Sequence, residues 1–235
     1  MSNIFLVAET KINNIGLREY LNSIGADTWY SQGVDCDSSE LVEVGGRLCY
    51  KSFGVGLNPN VKRVREGNAE YIANIIGSGH GSVLEHASVT FIFEGVSRVF
   101  THELVRHRHG TFSQESLRFL RIEGSIPYYQ PEGYPDLKPY MDELAILQEE
   151  IQGGYDFDSM GFEEKKKLTS FFRRILPIGL STTIMWTTNF RNLRHVINLR
   201  TSEGAEHEIK EVFERVKEIC LERYPHLMID LERRV

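Results

Sequence analysis

The sequence predicts a helix-rich α+β (mixed α/β) fold with a small sheet, on a single domain spanning residues 1–235. Three observations lead there. Most apolar residues recur at helical spacing between Gly and Pro breakers, only two short stretches read as strand, and no repeat, low-complexity tract or linker divides the chain. With 41% apolar and 26% charged residues, the 235-residue chain can bury a sizeable core.

Residues 4–8 are a short apolar run, the first strand. Residues 38–50 place Leu41, Val44, Leu48 and Cys49 at helical spacing after Ser38-Ser39, which reads as the cap. A second helix covers residues 60–78 and ends at Gly77 and Gly79. Residues 87–93 alternate as a strand, with Val89, Phe91 and Phe93 on one face. Residues 96–105 form a helix with Val96, Phe100 and Leu104 in one stripe. Residues 123–138, rich in Gly, Pro and Tyr, are the least regular region. Helices follow at 139–152 and 162–176, the second broken by Pro177 and Gly179. The last two, at 191–199 and 205–223, are separated by Thr201-Ser202-Glu203-Gly204.

The net charge of −6 argues against a surface built as a whole for nucleic acid. Cys36, Cys49 and Cys220 make no CxxC and no metal-ligand pair, so they read as buried, inert thiols in a reducing compartment. The N-terminus lacks the basic lead of a signal peptide, and no apolar run approaches the ~20 residues of a membrane helix. A cytoplasmic protein with no membrane partner is expected.

The basic residues are concentrated in two places. Arg106-His107-Arg108-His109-Gly110-Thr111-Phe112-Ser113-Gln114-Glu115-Ser116-Leu117-Arg118 packs three guanidiniums and two imidazoles around one acid. Such a cluster repels itself unless an anion sits in it, and Arg offers a donor fork that fits phosphate or carboxylate oxygens in pairs. Residues 168–202 hold Arg173, Arg174, Arg191, Arg194 and Arg200 with no Asp, Glu or Lys. Leu176, Ile178, Leu180, Ile184, Met185 and Trp186 in the same stretch imply burial, and buried guanidiniums need partners. Distant acids such as Glu206, Glu208 and Glu211 would satisfy some; for the set, a ligand carrying several phosphates or carboxylates is the better reading. Arg191 and His195, four apart, share a helical face, and Arg200 projects elsewhere.

His80 and His86, with His107 and His109, lack the spacing of a metal site, so no metal is expected and His86 reads as a core histidine at a strand start. Neither GxGxxG, GxxxxGK[ST] nor GxSxG occurs, and Ser116 has no base partner that would make it a nucleophile.

Arg106-His107-Arg108 followed after seven residues by Ser116 resembles the signature of the flavin-dependent thymidylate synthases. Four further segments resemble the family in order: Arg47-Leu48-Cys49-Tyr50-Lys51-Ser52; His80 to His86; Leu176-Pro177 with Thr187-Thr188-Asn189-Phe190-Arg191-Asn192-Leu193; and Asn198-Leu199-Arg200 with Ala205-Glu206-His207-Glu208-Ile209. The resemblance spans roughly residues 40 to 220. It implies a single domain with a small, mostly antiparallel sheet, assembled as a homotetramer with shared active sites. It implies reductive methylation of dUMP to dTMP, with 5,10-methylenetetrahydrofolate as carbon donor and FAD reduced by NADPH as hydride carrier.

By the same resemblance Ser82, Arg106, His107, Arg108, Gln114, Asn189, Phe190, Arg191 and His195 contact the flavin. Glu103, Arg106, Gln114, Glu115, Ser116, Leu117, Arg118, Arg173 and Arg200 line the nucleotide site. Arg200, always protonated, would act on the uracil electrostatically and not as a base. Glu103, Gln114 and His195 depart from residues that many members carry. A related flavin-dependent dUMP hydroxymethylase would use almost the same site. An RNA-binding module is disfavoured by the negative charge and the lack of RNP or KH motifs.

Overall fold

The computed structural model describes residues 2–61 and 63–231. A four-stranded sheet is formed by β1 (Asn3–Glu9), β2 (Ser88–Ser97), β3 (Gly110–Gln114) and β4 (Ser181–Asn189), in the order β1-β2-β4-β3, with every pairing antiparallel. Around it run α1 (Asn14–Ser23), α2 (Asp37–Tyr50), α3 (Asn68–Gly77), α4 (Arg98–Leu104), α5 (Lys138–Gly153), α6 (Phe162–Phe172), α7 (Phe190–Arg200) and α8 (His207–Arg223). Single 3₁₀ turns occupy Gly81–Glu85, Phe157–Ser159 and Arg173–Ile175. The expected class holds: helices dominate and the sheet is small and antiparallel.

One sheet face carries the core. Val89, Phe91 and Phe93 of β2 and Ile184 and Trp186 of β4 alternate inward, as a half-buried strand requires, and are fully or almost fully buried. Phe100 and Leu104 of α4 and Phe213 and Val216 of α8 close over them, with Phe100 and Phe213 stacked at 6.3 Å. Between Phe93 and Val96 the pairing of β2 with β4 slips, and Gly95 takes φ 70°, a conformation that favours glycine. That bulge ends β2 at Ser97 and turns the chain directly into α4.

Several boundaries differ from expectation. The second helix starts at Asn68, not at residue 60: Asn58 closes a turn with Asn60 and Val61, and Gly67 stays extended. Val96 belongs to β2, because Ser97 is the residue that caps α4. Ser38-Ser39 does not cap α2; the N-cap is Cys36, and Ser39 turns its hydroxyl to Asp35 and the Cys36 carbonyl. The strands β3 and β4 and helix α1, capped by Asn13, are additional to the predicted elements.

His86 is exposed, not a core residue, because the turn before β2 leaves its ring over Gly45 at the surface. Of the thiols, burial pushes Cys220 up to about 12 and half-buried Cys36 up to about 11, whereas Cys49 is exposed at the end of α2.

Candidate active site

The bulge at Gly95 delivers α4, a helix of seven residues, and its end delivers the Arg-His segment at the edge where β3 meets β4. Three groups of polar side chains meet around these elements.

The first is centred on Arg200 in the last turn of α7. Its Nε donates to His107 Nε2 at 2.9 Å, its Nη1 to Glu103 Oε2 at 2.7 Å, and its Nη2 to the Glu103 carbonyl at 3.0 Å. Arg106 adds a long contact to the other Glu103 oxygen, 3.9 Å, with its own head in solvent. Accepting from a guanidinium fixes His107 as a neutral imidazole with its hydrogen on Nδ1. Burial first, and then the Arg200 charge, push its pKa down to about 4. The Arg200 side chain is only 13% exposed. It is therefore a largely enclosed cation whose orientation is fixed by three hydrogen bonds.

The second group lines a cavity of about 340 Å³ formed by Glu85, His109, Asn189, Arg191, Asn192 and His195. Asn189 caps α7 by accepting from the Asn192 N–H at 2.9 Å. Arg191 reaches across to Glu85 at 2.5 Å, over Gly81, where a Cβ would stand 3.0 Å from the Arg191 Nε. His195 faces His107 edge to ring at 6.3 Å, which joins this cavity to the first group. Ser82 is exposed on the 3₁₀ turn beneath Arg191.

The third group follows β3. Gln114 donates to Thr101 of α4 at 3.2 Å. Glu115 is spent on β4, accepting from the Thr183 N–H at 2.8 Å and the Thr182 hydroxyl at 3.3 Å. Ser116 Oγ accepts from the Arg118 N–H at 3.4 Å, and Leu117 packs on the cluster of Ile126, Met141 and Leu180. Beside them stands Arg98, the first residue of α4. It donates to the Glu115 carbonyl at 3.2 Å, but its buried Nε has no partner among the described residues. Burial, and then the Arg173 charge, lower its pKa. A buried guanidinium donor with a second positive charge acting on it has the chemistry to accept an anion.

Most of the expected residues converge here, with exceptions. Phe190 packs into the core against Tyr224 at 4.9 Å, so its side chain does not reach the cavity. Glu115 and Leu117 hold structure together. Residues 168–202 are substantially buried, as expected, but Arg173, Arg174 and Arg191 are exposed because they follow a helix end or lie on the outer face of α7. Arg194 is the buried one, and it is tied to Asp230 and the Leu227 carbonyl. The acids that meet these arginines are Glu85, Glu103 and Asp230, not Glu206, Glu208 and Glu211. Arg98 is a residue sequence reasoning missed; an arginine directly after the Gly95-Val96-Ser97 break was the available signal.

His80 leaves the site and bonds Tyr50 Oη at 2.5 Å. Among the described residues no group of three His, Cys, Asp or Glu side chains is placed to hold a metal. Nor does any described helix have the length and apolarity to cross a membrane.

Comparison with known proteins gives a consistent picture. The family model described as "Thymidylate synthase complementing protein" matches residues 34–226. The flavin-dependent thymidylate synthase of Corynebacterium diphtheriae is 34% identical over 217 residues, covering 88% of this chain and 84% of its own. That of Mycobacterium tuberculosis strain H37Ra is 37% identical over 182 residues, covering 73% of this chain and 71% of its own. Among solved structures, Thymidylate Synthase X of Helicobacter pylori, crystallised with FAD and dUMP, superimposes with a TM-score of 0.64 over 98% of both chains at 17% identity, a likeness of fold.

Proposed function

Because the chain belongs to the flavin-dependent thymidylate synthase family, we propose that it carries out the reductive methylation of dUMP to dTMP as one catalytic domain. The carbon would come from 5,10-methylenetetrahydrofolate and the reducing equivalents from NADPH. The observation that carries this reading is the Arg200–Glu103–His107 group, supported by Arg98, whose buried Nε has no partner among the described residues and which feels the Arg173 charge. Such a site would offer an oriented cation for a heterocycle and guanidinium donors for a dianionic phosphate.

The residues fit a flavin dinucleotide: Arg191, Asn189 and His195 surround a cavity at the start of α7, and Ser82, Arg106 and Arg108 stand exposed near it. When bound, FAD supplies the hydride chemistry that no side chain here can provide. The chain's own work is binding and orientation. Arg98, Arg173, Ser116 and Arg118 take the nucleotide phosphate, where each charge-assisted hydrogen bond contributes about 1.5–3 kcal/mol. Arg200 faces the uracil and stabilises negative charge as C5 becomes nucleophilic. Held by Glu103 and neutral His107, its guanidinium needs little reorganisation when that charge develops. Arg191 exchanges its exposed pairing with Glu85 for a cofactor phosphate.

We further propose a homotetramer with shared sites. Phe119, Phe162, Phe171 and Ile178, each more than half exposed in the single chain, support association. Sedimentation as a monomer would contradict it. The activity is tested by purifying the protein with FAD, supplying dUMP, 5,10-methylenetetrahydrofolate and NADPH, and weighing the nucleotide formed. dTMP is expected; a product heavier by one oxygen would identify a hydroxymethylase instead.

A further inference from the structure

Helix α8 begins among three carboxylates that are used differently. Glu206 caps the helix, accepting from the Ile209 N–H at 3.2 Å. Glu211 accepts from the Tyr129 hydroxyl at 2.7 Å. Glu208, 3% exposed, turns inward to Ser97: Oε1 accepts the Ser97 N–H at 2.7 Å and Oε2 accepts the Ser97 hydroxyl. Ser97 Oγ in turn accepts from the Phe100 N–H at 3.2 Å as the N-cap of α4. A buried carboxylate thus anchors the first turn of α4 at two points.

A seven-residue helix has little stability of its own and takes its place from its end contacts and packing. This one carries Arg98 at its first position, Thr101, which receives Gln114, and Glu103, which holds Arg200. Arg106 and His107 follow at its end. A small rotation of its start moves all of these groups together.

We propose that Glu208 is a positioning residue for the nucleotide site, acting through Ser97 on α4 to align Arg98, Glu103 and, through Glu103, Arg200. The proposal rests on the reading that Arg98, Arg173 and Arg200 bind dUMP. Burial first, opposed by the two hydrogen bonds from Ser97 and reinforced by the charges of Glu206 and Glu211, pushes the Glu208 carboxyl up to about 7. Around α8 the other titratable groups are engaged elsewhere, the buried Nε of Arg98 excepted. Tyr129 is on Glu211; Arg98 of α4 is on the Glu115 carbonyl; Arg194 of α7 is on Asp230; and Glu9 of β1 is on Arg223 and Tyr224. When Glu208 is protonated, Oε2 donates to the Ser97 hydroxyl instead of accepting from it, so the anchor changes as pH falls through the neutral range.

The test is dUMP affinity, read from the flavin absorbance as FAD-loaded protein is titrated, for wild type, Glu208→Gln, Ser97→Ala and the double variant. Each single variant is expected to bind dUMP roughly tenfold more weakly, the scale of one charge-assisted hydrogen bond, with FAD still bound. The double variant should lose less than the sum of the two single losses, because both variants disturb the same Glu208–Ser97 hydroxyl contact. Toward about pH 6, wild type should lose affinity more steeply than Glu208→Gln, whose remaining slope is the second ionisation of the phosphate. A purely structural role would lower stability and leave dUMP affinity and its pH slope unmoved.

Equal affinities with parallel pH slopes, or additive losses in the double variant, overturn the proposal. If Glu208→Gln fails to fold, Ser97→Ala carries the affinity test alone, and unchanged affinity there overturns it equally. If wild type itself binds FAD but no dUMP, the reading of the nucleotide site falls, and this inference with it.

Discussion

Arg200 is held by Glu103 and His107, and two consequences follow from that single arrangement. The cation is oriented in advance, and its charge is partly balanced by a carboxylate that does not itself have to reach the substrate. Removing it in Arg200→Ala should cut dTMP formation by about 10²–10³-fold, as for loss of a donor to a developing oxyanion, while the flavin stays bound. Tritium release from C5-labelled dUMP measures this directly, and normal release would sink the activation role. Arg98 plays a different part. Its proposed role is to bind the phosphate, since its Nε has no partner among the described residues and the Arg173 charge acts on it. Arg98→Ala should raise KM for dUMP about tenfold or more and change kcat much less. Equal losses in both would place Arg98 in the transition state and not in binding.

At the scale of elements, β3 and β4 decide how the two basic segments meet. Gly110 opens β3 because Trp186 of β4 lies directly under it: a Cβ there would stand 2.3 Å from the Trp186 Nε1 and 3.1 Å from the Thr187 carbonyl. Gly110→Ala should therefore cost about 1–3 kcal/mol of stability and alter Trp186 fluorescence; an unchanged urea midpoint would contradict that packing. These strands were also the hardest part to read in the sequence. Helices α2, α5, α7 and α8 show themselves by their 3.6-residue period, whereas in β4 the inward positions Thr182, Ile184, Trp186 and Thr188 include two threonines and Met185 stands among the outward ones, which blurs the two-residue alternation. The start of α3 was hidden for another reason, since an Asn58 turn overrides an otherwise helical stretch. In the site, residue types announced an anion ligand from sequence alone. Which acid each arginine meets was not legible, because Glu103 lies 97 positions from Arg200 and Glu85 lies 106 from Arg191.

For the whole molecule, two buried titratable groups tilt stability in opposite directions. His107, pushed down to about 4 from its usual 6.5, binds a proton less readily folded than unfolded, so its contribution is full above about pH 6.5 and is lost as pH falls toward 4. Glu208, raised from 4.5 to about 7, does the reverse: its contribution is full below 4.5 and is lost as pH rises through about 7. Urea unfolding between about pH 5 and about pH 7 should show Glu208→Gln gaining stability relative to wild type as pH rises; a constant difference would contradict the raised carboxyl. Both groups lie on the α4–α7–α8 frame that holds the proposed nucleotide site, so folding and substrate binding share the same contacts. The central claim is that this frame presents dUMP to a bound flavin for methylation. Mass analysis of the nucleotide formed from dUMP, 5,10-methylenetetrahydrofolate and NADPH by the FAD-loaded protein tests it most directly. The account predicts dTMP, formed about 10²–10³-fold more slowly by Arg200→Ala; unaltered dUMP, or a hydroxymethylated nucleotide, would contradict it.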